Sequence, residues 1–171
     1  MSQTQTQTQT QTQTQTQTQT PTSDGRPDEA AATDARHALS YPCGEPPAPG
    51  DVKSVAPGVL WLRMPLPFSL DHINLWALAD EDEHGQGWAI VDTGVKTPDV
   101  LAAWRLLIAD DGALAAQGRG TRITRITRIL CTHMHPDHVG MAGWLTRKFQ
   151  CRLWMTRLEY QIGRASCRER V

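Results

Sequence analysis

The 171-residue chain predicts an α/β sandwich, on three observations. Short apolar runs near residues 59–64, 73–79 and 88–91 are joined by turn-rich segments, the pattern of strands paired by hairpins. From Pro98 onward, amphipathic stretches alternate with further apolar runs, the order that lays helices beside a sheet. Three of the six histidines and an aspartate fall within residues 133–138, at what reads as a strand-to-helix junction.

The elements follow in order. Residues 3–20 are an unbroken Gln-Thr alternation, and 21–49 are rich in Pro, Ala, Asp and Gly. Neither stretch carries the apolar side chains that would offset the entropy of ordering it, so residues 1–40 are expected to be a disordered leader. A Gln-Thr strand would be polar on both faces, although such tracts tend to self-associate. Residues 59–64 read as the first strand, 73–79 as the second and 88–91 as the third, with polar residues 80–87 as a hairpin loop. Asp92-Thr93-Gly94 closes the third strand in a tight turn. A helix then starts near Pro98, a residue favoured in the first helical turn, with Val100, Leu101, Trp104, Leu107 and Ile108 on one face. Residues 112–120 are a Gly- and Ala-rich loop.

Residues 121–129 repeat Thr-Arg-Ile three times. A period of three fits neither strand nor helix, so one or two copies are expected to lack a structural purpose. The repeat merges into 129–132, read as the fourth strand. A helix over 139–149 turns Met141, Ala142, Leu145 and Phe149 inward, and 151–155 form a fifth strand. Thr156-Arg-Leu-Glu159 has the form of a capping box opening one more helix. The six tryptophans, spread through these elements, are expected in the core. Residues 162–171 lack apolar periodicity and resemble the translation of a short-read sequencing adapter, which ends the natural sequence near Tyr160 and the domain at 161. The alternative is a native basic tail.

The net charge is −1, and becomes −3 without the three arginines and one glutamate of residues 162–171. This balance gives no electrostatic case for nucleic acid or membrane binding. No apolar run reaches membrane-spanning length, and the amino terminus lacks the basic and apolar regions of a signal peptide. Four cysteines without C-x-x-C spacing fit a reducing, cytoplasmic setting, with Cys131 and Cys151 as small buried strand residues.

The chemistry lies in His133-Met134-His135-Pro136-Asp137-His138. His133 and His135 are two apart at an extended strand end, which points both rings to one side. Pro136 keeps His135 out of the helical region, so the chain turns after it and brings Asp137 and His138 back over the same cavity. Imidazole nitrogens and a carboxylate suit zinc, and also iron or manganese. His133 and His135 would hold one ion while Asp137 and His138 hold or orient a second. Two ions about 3.5–4 Å apart can share a hydroxide whose pKa is lowered toward about 7. Asp137 would accept a hydrogen bond from that nucleophile and align it. Surface or satisfied core histidines are the bland alternative, and this spacing disfavours them.

The segment Thr132-His133-Met134-His135-Pro136-Asp137-His138-Val139-Gly140 resembles the signature of the metallo-β-lactamase-fold superfamily, and Asp92-Thr93-Gly94 its second recurrent motif. Residues 65–76 are similar to the opening strands of a glyoxalase-II-like or β-lactamase-like bacterial subgroup. The likeness covers about residues 41–160. It implies the N-terminal half of an αββα sandwich, with metal at one edge. It also implies His133 and His135 as ligands of a first zinc ion, Asp137 and His138 as ligands of a second, and Asp92 as a residue outside the ligand set that steadies their loop. Asp92 read from its residue type alone is a turn former. The superfamily draws a further His, a bridging Asp and a last His from downstream segments. The chain as written is therefore expected to be a fragment, inactive alone, with one sheet face open to water and prone to aggregate.

The resemblance implies a hydrolase of ester-like bonds acting on a small-molecule substrate. Rival readings are a single-iron persulfide oxidase of the same fold, an RNA-processing nuclease using Arg122, Arg125 and Arg128, and a non-catalytic metal-binding fragment. The acidic balance argues against the nuclease. His72, at the start of the second strand, is a weak candidate ligand. His37 and His84 carry no argument.

Overall fold

A computed structural model describes residues 41–118 and 124–168. The leader, His37 and the first Thr-Arg-Ile copy lie outside the described residues. The elements run β1 (Val52–Ala56), β2 (Val59–Pro65), β3 (His72–Asp82), β4 (Gly85–Val91), α1 (Pro98–Leu107), β5 (Ile126–Leu130), α2 (Pro136–Val139), α3 (Ala142–Phe149), β6 (Arg152–Trp154) and α4 (Arg157–Arg168). The strands form one sheet in the order β1-β2-β3-β4-β5-β6. β1 to β4 pair antiparallel through hairpins, and β4, β5 and β6 pair parallel across the crossovers that contain α1 and α3. Right-handed crossovers in one direction place both helices on the same face of the sheet.

That face is the core. Leu62, Met64, Leu75, Ile90 and Ile129 are fully buried beside Val100, Trp104 and Leu107 of α1 and Leu145 of α3. α1 begins as the sequence predicts, with Pro98 in the first helical position; the structure adds a cap, the Thr97 hydroxyl accepting from the Val100 N–H at 3.3 Å. On the opposite face, cross-strand partners align Trp61, Trp76, Val91, Leu130 and Trp154 in a single row. Trp61 and Trp76 stack with centroids 6.3 Å apart. Trp76 and Trp154 are exposed, so only part of the tryptophan set is core. Strand alternation, which sends every second residue to the helix-free face, explains the split.

Several boundaries differ from the sequence reading. β1 is an additional strand, short and half-exposed, paired along the edge of β2. β3 and β4 extend to Asp82 and Gly85 and leave only Glu83 and His84 between them, where the sequence suggested an eight-residue loop. The cause is tertiary. Asp80 receives Arg128 Nε at 2.7 Å and Asp82 receives Arg125 Nη2 at 2.6 Å, which gives the polar strand ends partners across the sheet.

The second and third Thr-Arg-Ile copies are thus structural. Trp88 pairs with Ile126 and Ala89 with Arg128, so Thr127 is an inserted residue, a bulge that resets the strand's phase. Ile126 and Ile129, three apart, both reach the core as a result. The Gly112 loop contains a short 3₁₀ turn, Ala115–Gln117, beside buried Leu114. The helix expected over 139–149 is two: α2 ends at Val139, and α3 starts at Ala142. Finally, α4 continues past Gln161 to Arg168.

Candidate metal centre

The site forms where β4 and β5 end side by side. The Asp92 N–H donates to Leu130 O at 2.8 Å, which ties the two strand ends together. Asp92 then takes a left-handed φ of 62°, a conformation that Asp tolerates better than most residues, and Gly94 follows at 83°. A Cβ on Gly94 would sit 2.8 Å from Val100 Cγ1, so the turn requires glycine on both conformational and steric grounds.

This turn supports the histidine segment from below. The buried Asp92 carboxylate accepts from the Thr132 N–H at 2.8 Å, from the Thr132 hydroxyl at 2.9 Å and from His138 Nδ1 at 2.8 Å. A carboxylate only accepts, so His138 Nδ1 is the donor of this bond. Thr93 N and Thr93 Oγ1 both donate to His138 O at 2.8 Å. Trp104 Nε1 in turn donates to Thr93 O at 2.8 Å, which connects the core helix to the site. The Cys131 thiol lies 3.7 Å from His138 O, and burial together with the Asp92 charge pushes its pKa up to about 12.

The histidines stand in a bend rather than on the strand, because β5 stops at Leu130. They are adjacent nonetheless. The His133 ring lies 4.8 Å from that of His135 and 3.8 Å from that of His138. His135 is extended at ψ 146°, as its position before Pro136 requires, and its carbonyl receives the first N–H groups of α2. Asp137 Oδ2 stands 3.3 Å from His138 Nε2. Gly140 lets the chain pass close beneath: a Cβ there would lie 2.8 Å from both Gly94 O and Lys96 N.

His133, His135, Asp137 and His138 are therefore gathered where the bend enters α2, with Asp92 bonded to His138. The donors do not yet surround a point. Among the described residues no three His, Cys, Asp or Glu side chains are placed to hold an ion as they stand. The His133 and His138 rings are instead in contact with each other. The donor chemistry fits a transition metal, three imidazoles and a carboxylate with the Nδ1 of one ring already committed to a carboxylate behind it. His72 is placed elsewhere, its Nδ1 against the Asp71 carboxylate. Cys151 is half-buried ahead of β6, and Cys131 is buried just past β5. One participant escaped the sequence reading: Glu159, whose Oε2 accepts from the Met134 N–H at 2.9 Å. Its capping-box spacing pointed to a local role only.

A sequence model of the metallo-beta-lactamase superfamily matches residues 71–166. Among solved structures, a beta-lactamase domain protein from Burkholderia ambifaria is 45% identical, with a TM-score of 0.62; the match covers 72% of this chain and 37% of that one. A metallo-beta-lactamase family protein from Thermus thermophilus is 28% identical over 55% of this chain and 27% of its own, with a TM-score of 0.40. A metallo-beta-lactamase from Pseudomonas aeruginosa, solved in a mono-zinc form, is 16% identical over 69% of this chain and 46% of its own, with a TM-score of 0.46. No curated protein matches the chain. The chain spans well under half the length of the first two of these structures and just under half of the third.

Proposed function

The chain belongs to the metallo-beta-lactamase superfamily, and on that premise we propose that it carries the first metal-ligand segment of a zinc-dependent hydrolase of ester-like bonds. The observation that carries the reading is the Asp92–His138 contact, a carboxylate that fixes the ring so that Nε2 faces Asp137. This is the arrangement in which a carboxylate behind a histidine orients it as a ligand.

His133, His135, Asp137 and His138 would hold the metal, with two zinc ions in the complete domain and iron or manganese as the alternatives the same donors accept. Bound zinc supplies a hydroxide nucleophile near neutral pH and a Lewis acid for the carbonyl or phosphoryl oxygen. The remaining work belongs to the chain. Asp92 keeps the proton on His138 Nδ1. Asp137 would accept a hydrogen bond from the nucleophile and align it. Thr93 and Gly140 hold the bend in which these groups meet.

The substrate is a small molecule with a thioester, lactone, amide or phosphoester bond, in the glyoxalase-II-like part of the superfamily. Arg125 and Arg128 are engaged by Asp82 and Asp80, which supports a reading without nucleic acid as a partner. Among the described residues no helix is long and apolar enough to cross a membrane. Free Cys43, Cys131 and Cys151 support a cytoplasmic setting.

The test is zinc and cobalt titration of the purified chain beside His133→Ala, Asp137→Ala and His138→Ala; in assays of the four bond classes with and without a chelator, the chain alone is expected to be inactive. Uptake of at least one ion, lost in the variants, is expected. A chain that takes up neither metal refutes the assignment. Iron held by the purified protein with persulfide oxidation would replace hydrolysis by the oxidase reading.

A further inference from the structure

The Thr156-x-x-Glu159 spacing predicts two reciprocal hydrogen bonds, hydroxyl to Glu159 N–H and carboxylate back to Thr156 N–H. The first is present: Glu159 N donates to Thr156 Oγ1 at 3.3 Å. The carboxylate goes elsewhere. Glu159 Oε2 accepts from Met134 N at 2.9 Å, across 25 residues of sequence. Met134 is the residue between His133 and His135. One turn further along α4, Gly163 also faces it, since a Cβ on Gly163 would lie 3.4 Å from Met134 Cβ. Positions i and i+4 of one helix face thus both meet this single residue.

The bend 132–135 lies outside regular structure, and two of its amides are bonded to side chains. Thr132 N–H is taken by Asp92 and Met134 N–H by Glu159. His133 is held between two backbone groups, each bonded to a carboxylate from a different element. Hydrogen bonds to ionised acceptors are the stronger kind and fix geometry accordingly.

We propose that Glu159 is a positioning residue for the histidine pair: through Met134 N–H it fixes the backbone that carries His133 and His135, so that metal affinity depends on α4. This rests on the metal-centre reading above. Glu159 itself is not a ligand in this scheme.

The test uses the full chain and two measurements. Zinc affinity by competition with a chromophoric chelator is expected to fall about 10–100-fold in Glu159→Ala, the range for residues that orient ligands from behind. Glu159→Gln, which keeps an acceptor oxygen, recovers most of it. Thr156→Ala removes the helix cap without touching the Met134 contact and serves as the control for general loss of α4; it is expected to bind zinc as the unaltered chain does. Amide exchange at Met134, measured without metal, is expected to accelerate about tenfold in Glu159→Ala, for one net hydrogen bond, and not in Thr156→Ala. Equal zinc affinity in all four proteins, equal losses in Glu159→Ala and Thr156→Ala, or no rescue by glutamine would each overturn the proposal. Should the unaltered chain bind no zinc, the metal-centre reading fails. The exchange rates then still decide whether Glu159 fixes the segment, and an unchanged Met134 rate refutes it.

Discussion

Asp92 and His138 lie 46 residues apart in sequence and 2.8 Å apart in space, carboxylate oxygen to Nδ1. The contact joins the end of β4 to α2 and fixes the orientation of the His138 ring. The two partners respond differently to substitution because Asp92 does two things at once. Its side chain takes three donors, and its backbone occupies a left-handed turn.

Asp92→Asn separates these roles. Asparagine tolerates φ 62° and keeps an acceptor for Thr132, so the fold should hold. The charge behind His138 is lost, and zinc affinity should fall about 10–100-fold. Asp92→Ala should add roughly 1–2 kcal/mol of instability from the turn alone. Paired melting curves and zinc titrations check both. Equal affinities in Asp92→Asn and the unaltered chain would show that the carboxylate is only a turn former.

Two glycines near the site should respond in opposite directions. Gly140→Ala forces a Cβ against Pro136 O, Gly94 O and Lys96 N, all backbone atoms that cannot rotate away. A loss of at least about 1–3 kcal/mol is expected, as for overpacking elsewhere. Gly143 lies inside α3, where an added Cβ would meet only the flexible Arg147 guanidinium at 3.4 Å. Gly143→Ala should stabilise by about 0.5–1 kcal/mol. Urea unfolding of the two variants reads the contrast directly.

Acid should weaken the far end of the sheet. The Arg125 hydrogen bonds hold the Asp82 carboxyl below its usual range. At Asp80 burial pushes upward, but the Thr127 hydroxyl, the Glu81 N–H and the Arg128 guanidinium together outweigh it and the carboxyl is again lowered. A carboxyl lowered in the folded state contributes stability that is complete above its unfolded value of about 4 and disappears as pH falls through the folded value. The urea midpoint should therefore drop below about pH 4. An Asp80→Asn, Asp82→Asn double variant should be less stable at neutral pH and show a flatter acid limb. Parallel limbs in the two proteins would count against the pairing.

What was legible in the sequence depended on the range of the interaction. Pro136 and Pro98 act through their immediate neighbours, and the structure places them as read, whereas the histidine pair expected on a strand end stands in a bend past it. The Thr-Arg-Ile repeat looked purposeless because its partners, Asp80 and Asp82, lie 43 to 48 residues away. The break between α2 and α3 was equally hidden. It arises where Met141 N turns to Gly94 O at 3.2 Å and Thr93 Oγ1 at 3.2 Å instead of continuing a helix. Glu159 had a recognisable local pattern, and a tertiary partner took its carboxylate. The approach of the four candidate ligands was readable, but the contact between the His133 and His138 rings was not, because spacing fixes backbone direction and not ring position.

Thr93 offers the sharpest test of how the core reaches the site. It is fully buried and stands between Trp104, which donates to its carbonyl, and His138, whose carbonyl takes both its N–H and its hydroxyl. Thr93→Val keeps the shape and removes the hydroxyl, so His138 O loses one donor and Met141 N loses its side-chain acceptor. A cost of about 1–3 kcal/mol is expected for these buried polar groups. Thr93→Ser keeps the hydroxyl and deletes one methyl group, for about 0.8 kcal/mol. Trp104→Phe breaks the same chain from the other side and leaves Thr93 O without its indole donor. Serine milder than valine, with weakened zinc binding in the valine and phenylalanine variants, is the result expected if the hydrogen bonds transmit the core's rigidity to His138. Serine as damaging as valine would mean that methyl packing, rather than the hydroxyl, secures this turn.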